Sequence, residues 1–497
     1  LSVRLGPYTL SALPADVRRP GYDRARLKRG ILHIGVGAFH RCHQGEFTDD
    51  ALEAAFGDWG IVGVNLRAPD LDETLGAQGG LYCRELRDHN TVERRLIGAL
   101  IETISVGDAA SLERALALAA DPAIRVVTLT ITEKGYCHVP ATGLLDTGHP
   151  DIAHDLAHPR APRSVPGFIL EMLRRRFAAG AEAPTIISCD NVPDNGATLR
   201  RCVTGLAEAG RDPLAGRIAE TVNFLNTMVD RIVPATAEAD IERFAAETGI
   251  LDLGLVIGEP FRHWMIEGAQ GRDLPAWDRV GALYVPDVAP YEILKMRVVN
   301  GIQTGLCQLG LLSGIDYMAD VMADPVFARF AREMIEAEVL PHLPAVPGID
   351  VPAYLETTLS RLTNPALRHR TAQISTDGSQ KIRQRLLEPL RAALAADTPC
   401  DRLLWGIAGW MVYAGGRDHA GRTFPVNDPL AGRTLALSAE TGEDAGAYVR
   451  GLLSLETVFG TDLGTRPEIV AALTDRVARL RQRPARAIMA DIIGGGA

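Results

Sequence analysis

The 497-residue chain is expected to fold as an α/β domain followed by a mostly α-helical one, and three features of the sequence predict this. Short β-branched runs alternate with helix-like stretches up to about residue 260, the pattern of a parallel sheet covered by helices. From Pro290 onward, apolar residues recur three and four apart, which is helical spacing. Between the two patterns, residues 273–290 contain Pro275, Pro286 and Pro290 and no strong period, so domains 1–285 and 286–497 are expected.

Candidate strands are residues 31–34, 61–66, 95–100, 124–130, 185–188 and 253–257, enough for an open, doubly wound sheet. Apolar-periodic stretches such as 112–119 and 165–177 supply helices between them. In the second half the periodic stretches are 294–312, 326–339, 380–395, 402–414 and 445–455. No internal repeat or low-complexity tract is evident, and residues 494–497 are expected to fray.

Composition limits the function classes. Apolar residues make up 46% and charged residues 23%, as in ordinary folded proteins. Lys and Arg total 52 against 62 Asp and Glu, a net charge of −10, and no long basic run is present, so nucleic acid is not an expected partner. No stretch reaches the roughly 18 to 20 apolar residues of a membrane span. The arginines among the first 30 residues precede no apolar leader core, so neither membrane insertion nor export is expected. Seven cysteines at irregular spacing, without a Cys-x-x-Cys, fit a reducing, cytoplasmic location.

A Gly-x-Gly turn follows the first candidate strand, in Gly30-Ile-Leu-His-Ile-Gly35-Val36-Gly37-Ala38-Phe39-His40-Arg41. A dinucleotide pyrophosphate binds at such a turn, where backbone comes close and helix amides point outward. His40 stands where a third glycine is usual, so the motif is incomplete, and a plain strand-to-helix turn is the competing reading. At the end of the second strand, Asp70 can accept hydrogen bonds from a ribose diol, which favours NAD. Arg67 could instead receive the 2′-phosphate of NADP.

Residues 290–310 read as one largely buried helix. At about 100° per residue, Glu292, Lys295, Asn300 and Gln303 fall within an arc of roughly 140°. A polar stripe on an apolar rod needs partners or a chemical role. Desolvation lowers a lysine pKa, which would make Lys295 a general base, with Glu292 one turn earlier passing the proton to solvent. Asn300 offers an amide to a developing alkoxide. Asn191, in Ser188-Cys-Asp-Asn191-Val-Pro193 beyond a candidate strand, offers another. The competing readings are a plain Glu292–Lys295 pair at a helix start and a turn asparagine before Pro193.

Together these segments resemble the long-chain mannitol dehydrogenase family, the polyol-specific long-chain dehydrogenases/reductases, over most of the chain. The residues that carry the resemblance are Gly35-Val-Gly-Ala-Phe-His-Arg41 with His43-Gln44, Thr130-Ile-Thr-Glu-Lys-Gly-Tyr136, Ser188-Cys-Asp-Asn191, Met228-Val-Asp-Arg231-Ile-Val-Pro234, and Lys295 with Asn300-Gly301. The resemblance implies a Rossmann-type N-terminal domain, a helical C-terminal domain, and zinc-independent hydride exchange between NAD and a polyol or ketose. In the family's terms Lys295 is the base, Asn191 and Asn300 hold the reacting oxygen, and Glu292 gates proton exchange. Gly35, Val36, Gly37, Ala38, Phe39, Arg67, Asp70, Glu133 and Asn191 are the expected cofactor contacts, and Asp230 and Lys381 match positions lining the polyol site.

The sequence departs from the family pattern in two places. The family helix usually reads Asn-Gly-x-His, but Gln303 stands at the fourth position, and Gln373 lies where mannitol enzymes carry arginine. A titratable ring and a cation are thereby replaced by neutral amides, which leaves substrate choice open. Three other readings remain. A zinc enzyme would use His40, Cys42 and His43, or His154 with His158. A sugar-acid (hexuronate or aldonate) oxidoreductase of the same family would anchor a carboxylate on Lys381 or Arg383. A non-catalytic NAD-binding homologue would bind without turnover. No metal is expected, and the chain is expected to be a monomer or homodimer.

Overall fold

The computed structural model describes residues 2–67, 70–139 and 142–494, and the chain divides into two compact units, Leu1–Ala289 and Pro290–Ala497. The expectation for residues 495–497 lies outside the described residues. Among the described residues, no helix is long and apolar enough to cross a membrane.

The first unit is built on a six-stranded parallel sheet of β1 (Arg29–Ile34), β2 (Gly60–Asn65), β3 (Leu100–Ser105), β4 (Val126–Leu129), β5 (Thr185–Ser188) and β6 (Phe224–Leu225). The spatial order is β3-β2-β1-β4-β5-β6, so the winding reverses between β1 and β4. Ligands of such sheets bind at that reversal, beyond the carboxyl ends of the strands. The central strands are almost wholly buried, as a sheet covered on both faces requires. Alternate residues feed two cores. Leu32, Ile34, Val62 and Val64 pack with Leu116, Phe168, Ile169 and Leu199 of α3 (Ala109–Ala120), α5 (Val165–Ala178) and α6 (Asn195–Ala209). Ile31, Ile61 and Val126 pack with Phe47, Trp264 and Trp277.

Two strand expectations are corrected. The run 95–100 is not one strand, because Thr91–Ile97 pairs antiparallel with Tyr82–Asp88 in a separate sheet and the chain turns at Gly98 and Ala99 before β3 begins. Asp49 accepts the Gly98 amide at 2.9 Å and Arg95 at 2.6 Å, which fixes that turn. The run 253–257 does not enter the main sheet either. Val256–Gly258 pairs with Tyr82–Asp88, and the sixth place is taken by β6, too short to show any period.

The second unit is mainly helical. The expected single helix over 290–310 is instead α7 (Ala289–Arg297) and α8 (Val299–Leu312), separated at Val298 with φ −89° and ψ −72°. Hydrogen bonds reach the break from both sides, from Val298 to Leu294 at 2.9 Å and from Ile302 to Val298 at 3.0 Å, so the interruption is confined to that residue. α8 is buried on nearly every side. It crosses α13 (Asp401–Ala414) closely at Gly406, where a Cβ would lie 3.2 Å from Gly305 Cα, so a side chain there presses the two helix backbones apart; a Cβ on Gly305 would instead meet the end of Met334. The expected helix over 380–395 contains α11 (Gly378–Ile382) and α12 (Glu388–Ala395), joined by a π-helical turn at Arg383–Leu387. Pro389 explains the widening, since it lacks an N–H and its ring would clash with the Arg385 carbonyl in a regular helix.

Candidate active site

The turn after β1 has the geometry a dinucleotide needs. Gly35 adopts φ +92°, and a Cβ there would sit 2.2 Å from the Thr130 carbonyl oxygen, so only glycine fits. The Val36 amide donates to Asn65 Oδ1 at 2.7 Å, tying the turn to the end of β2. The helix that follows is shorter than the motif leads one to expect. α1 (Ala38–Cys42) breaks at His43, and α2 (Gln44–Ala54) restarts the path. His40, in place of the third glycine, is buried and stacked on His33 with ring centroids 3.4 Å apart. His33 bonds Thr128 Oγ1 at 2.8 Å, and burial drives its pKa down to about 3 and that of His40 well below the usual value. A flat, neutral imidazole pair therefore makes the close helix–strand contact that glycine usually permits.

The other candidates of the first unit also follow the carboxyl ends of strands. Arg67 and Asp70 lie just past β2, both exposed, and Asp70 opens the short helix Leu71–Thr74. Arg67 forms an ion pair with Asp151, in the first turn of α4 (Pro150–Ala157). Glu133 is exposed in Thr132–Gly135, after β4, and Asn191 is exposed after β5. Asp230 is buried at the end of the strand Thr227–Asp230, opposite His263.

Asp190, one residue before Asn191, is a site residue that sequence reasoning does not single out. Its carboxylate accepts the amides of Ile131 at 3.1 Å and Thr132 at 2.8 Å and the Tyr136 hydroxyl at 2.9 Å. Burial raises its pKa to about 6. Asp190 thus locks the loop after β4 to the loop that carries Asn191, and holds Thr132 at φ +62°. The signal was an aspartate at a parallel strand's carboxyl end, a place where loop amides need acceptors.

In the second unit, Lys295 on α7 and Asn300 on α8 are each only 5% exposed, and Glu292 is half-buried. Gln303 is 9% exposed. The Asn300 amide lies 3.2 Å from Met296 Sδ, a weak acceptor. α8 packs against α10 (Thr371–Ser375), which carries the exposed Gln373, and against α11, which carries Lys381. Lys381 donates to the Thr376 carbonyl at 2.5 Å and to Ile374 at 3.5 Å. His369 is pushed down to about 4, first by burial and then by the Lys381 charge. Arg383, an expected alternative anchor, is exposed and paired with Glu388 at 3.4 Å. Arg385, which the sequence reading passed over, is turned toward α8 by the π-helical turn and donates to Thr304 Oγ1 at 3.1 Å. Periodicity assumes a regular helix, and the widened turn defeats it.

Neither proposed zinc set reaches three ligating groups: His40 stacks on His33, His43 bonds the His263 carbonyl at 2.9 Å, and the rings of His154 and His158 meet at 4.8 Å but belong to no group of three among the described residues. Among the described residues, Cys137, His149 and Asp151 bring ligating atoms within 4.8 Å of one another. Of those donors, His149 Nδ1 already accepts the Asp151 amide at 3.2 Å, and Asp151 already holds Arg67 in an ion pair. This is not a convincing metal centre.

Comparison with known proteins accords with this geometry. Residues 29–279 match the mannitol dehydrogenase Rossmann domain, and residues 287–481 match the mannitol dehydrogenase C-terminal domain. The chain is 41% identical over 479 residues to D-mannonate oxidoreductase of Escherichia coli (strain K12), covering 95% of this chain and 98% of that one. It superposes with a TM-score of 0.90 and 35% identity on mannitol 2-dehydrogenase of Pseudomonas fluorescens in its ternary complex with NAD and D-mannitol, covering 99% of this chain and 100% of that one. A substrate-free D-sorbitol dehydrogenase superposes with a TM-score of 0.85 at 31% identity, covering 98% and 100%. With both halves matched and one sheet edge gathering the cofactor-type residues, the chain belongs to the mannitol dehydrogenase family and is an NAD-dependent oxidoreductase of that type.

Proposed function

We propose that this oxidoreductase interconverts a polyol and its ketose, with Lys295 as general base. The observation that carries the reading is a lysine only 5% exposed, five residues before an equally buried asparagine, on the helices that open the family's C-terminal domain. Lys295 Nζ takes the carbinol proton, and withdrawal from water favours the neutral amine that this requires. The side-chain amides of Asn300 and Asn191 donate to the oxygen as it becomes an alkoxide. Glu292, half-buried one turn before Lys295, returns the proton to solvent. Bound NAD supplies the hydride acceptor.

The turn fits such a cofactor, because Gly35 leaves no room for a side chain and Gly37 is exposed with no heavy atom closer than 4.0 Å to where its Cβ would be. Gly35, Val36, Gly37, Ala38 and Phe39 would cradle the pyrophosphate, Asp70 the ribose diol, and Glu133 and Asn191 the remainder. Asp230, Gln303, Gln373 and Lys381 would contact the polyol hydroxyls. Lys295→Ala is expected to lower kcat by about 100- to 10,000-fold while NADH affinity, followed by fluorescence titration, stays within about threefold. Near wild-type turnover at neutral pH in that variant overturns the base assignment.

A second reading, oxidation of sugar acids, is favoured by the 41% identity to a D-mannonate oxidoreductase and by the cations Lys381 and Arg385 on the segments packed against α8. A carboxylate would need such an anchor. Initial rates with NAD on matched polyols and aldonates decide between the two. A strong preference for aldonates selects the second reading, and a preference for polyols the first.

A further inference from the structure

Past the end of β2, where a doubly wound sheet places the adenine ribose of a dinucleotide, the chain offers charges of both signs, Arg67 and Asp70. A carboxylate suits the 2′,3′-diol of NAD, and a guanidinium suits the 2′-phosphate of NADP, so local sequence alone permits either. The structure adds a third charge, from a segment far along the chain. Asp151 holds the Arg67 guanidinium in an ion pair.

Asp151 is well placed to do this. It sits in the first turn of α4, with Pro150 ahead of it and its own amide accepted by His149 Nδ1 at 3.2 Å. A carboxylate there is also favoured by the helix dipole. Arg67 is the more exposed partner, with its side chain 61% exposed against 25% for Asp151.

We propose that Asp151 is a specificity-determining residue for the cofactor: by occupying Arg67 it withholds the guanidinium from a 2′-phosphate and so favours NAD over NADP. A 2′-phosphate would have to break the ion pair and then lie beside the Asp151 carboxylate. The 2′-hydroxyl of NAD requires no such exchange. The inference rests on the reading of this sheet edge as the NAD site.

The test measures dissociation constants of NADH and NADPH by isothermal titration calorimetry on the full chain. Asp151→Asn is expected to tighten NADPH about two- to fivefold at low salt, the scale of a partly exposed ion pair, and to change NADH by less than that. The gain should shrink as ionic strength rises. It should disappear in the double variant Arg67→Ala/Asp151→Asn, and Asp151→Glu should keep the wild-type ratio. An unchanged NADPH-to-NADH ratio in Asp151→Asn, or the same gain without Arg67, overturns the inference while leaving the NAD site intact. Failure of the wild-type chain to bind NADH overturns the site reading and the inference together.

Discussion

At His40 the sequence pattern asks for glycine, and the structure fills the position with a buried ring lying 3.4 Å from the ring of His33. His40→Gly would complete the Gly-x-Gly-x-x-Gly pattern and still damage the protein, because it empties a packed site and adds a flexible residue to a helix. The expected loss is about 2 to 4 kcal/mol of stability, read as a lower denaturation midpoint; a variant as stable as wild type would show that the stack contributes nothing. Gly35 and Gly37 were legible because their need is local, a positive φ and an open approach. The role of His40 was not, because its partner His33 lies on the strand below and the stack exists only once the helix has packed. Asp190 was hidden for a similar reason, since the donors to its carboxylate come from residues 131–136.

α2 shows how one element ties the nucleotide turn to the rest of the first unit. It begins just after the turn and carries Glu46, Asp49, Asp50 and Glu53. Glu46 is buried between Arg231 at 2.5 Å, Arg84 at 3.2 Å and Arg262 at 3.4 Å. Burial alone would raise its pKa, but the three guanidinium groups outweigh that and hold it below the ordinary carboxylate range. Arg231 directly follows Asp230, so the network also fixes the strand end that carries this candidate. Glu46→Gln leaves buried cations uncompensated and is expected to cost about 3 to 5 kcal/mol, measurable by urea denaturation; a loss under about 1 kcal/mol would show that the arginines find other partners. Strongly periodic elements such as α3, α5 and α13 were legible in the sequence. β6 was not, because two residues carry no period, and the break at Val298 and the π-helical turn were not, because each is a local departure from regular spacing.

Buried histidines give the whole molecule an acid response whose sign can be worked out. His33 and His43 in the first unit are held at about 3, and His369 in the second at about 4, each chiefly by burial. An unfolded histidine takes up its proton near 6.5, so below that pH the unfolded chain binds protons the folded chain refuses, and stability falls as pH falls. Asp190 acts the other way. Its folded value of about 6 lies above 3.8, so it adds stability as pH falls from about 6 toward 4. Asp49, Asp252 and Glu338 are also raised by burial and share that direction. A difference measurement isolates one group: His33→Gln should flatten the dependence of unfolding free energy on pH between 5 and 6.5 by up to about 1.4 kcal/mol per pH unit, whatever its effect at pH 8. An unchanged slope would show that His33 already takes up a proton when folded. Composition, period and the glycine turn were sufficient to determine the α/β-then-α order and the sheet edge, because these follow from local spacing and from the backbone's need to bury or pair its polar groups. Only the tertiary structure decided which strand took the sixth place, that Arg67 meets Asp151, and that Asp190 clamps residues 131–136. Each of those depends on groups far apart in the chain, and neither pattern nor propensity encodes which distant charges or donors folding will bring within hydrogen-bonding reach.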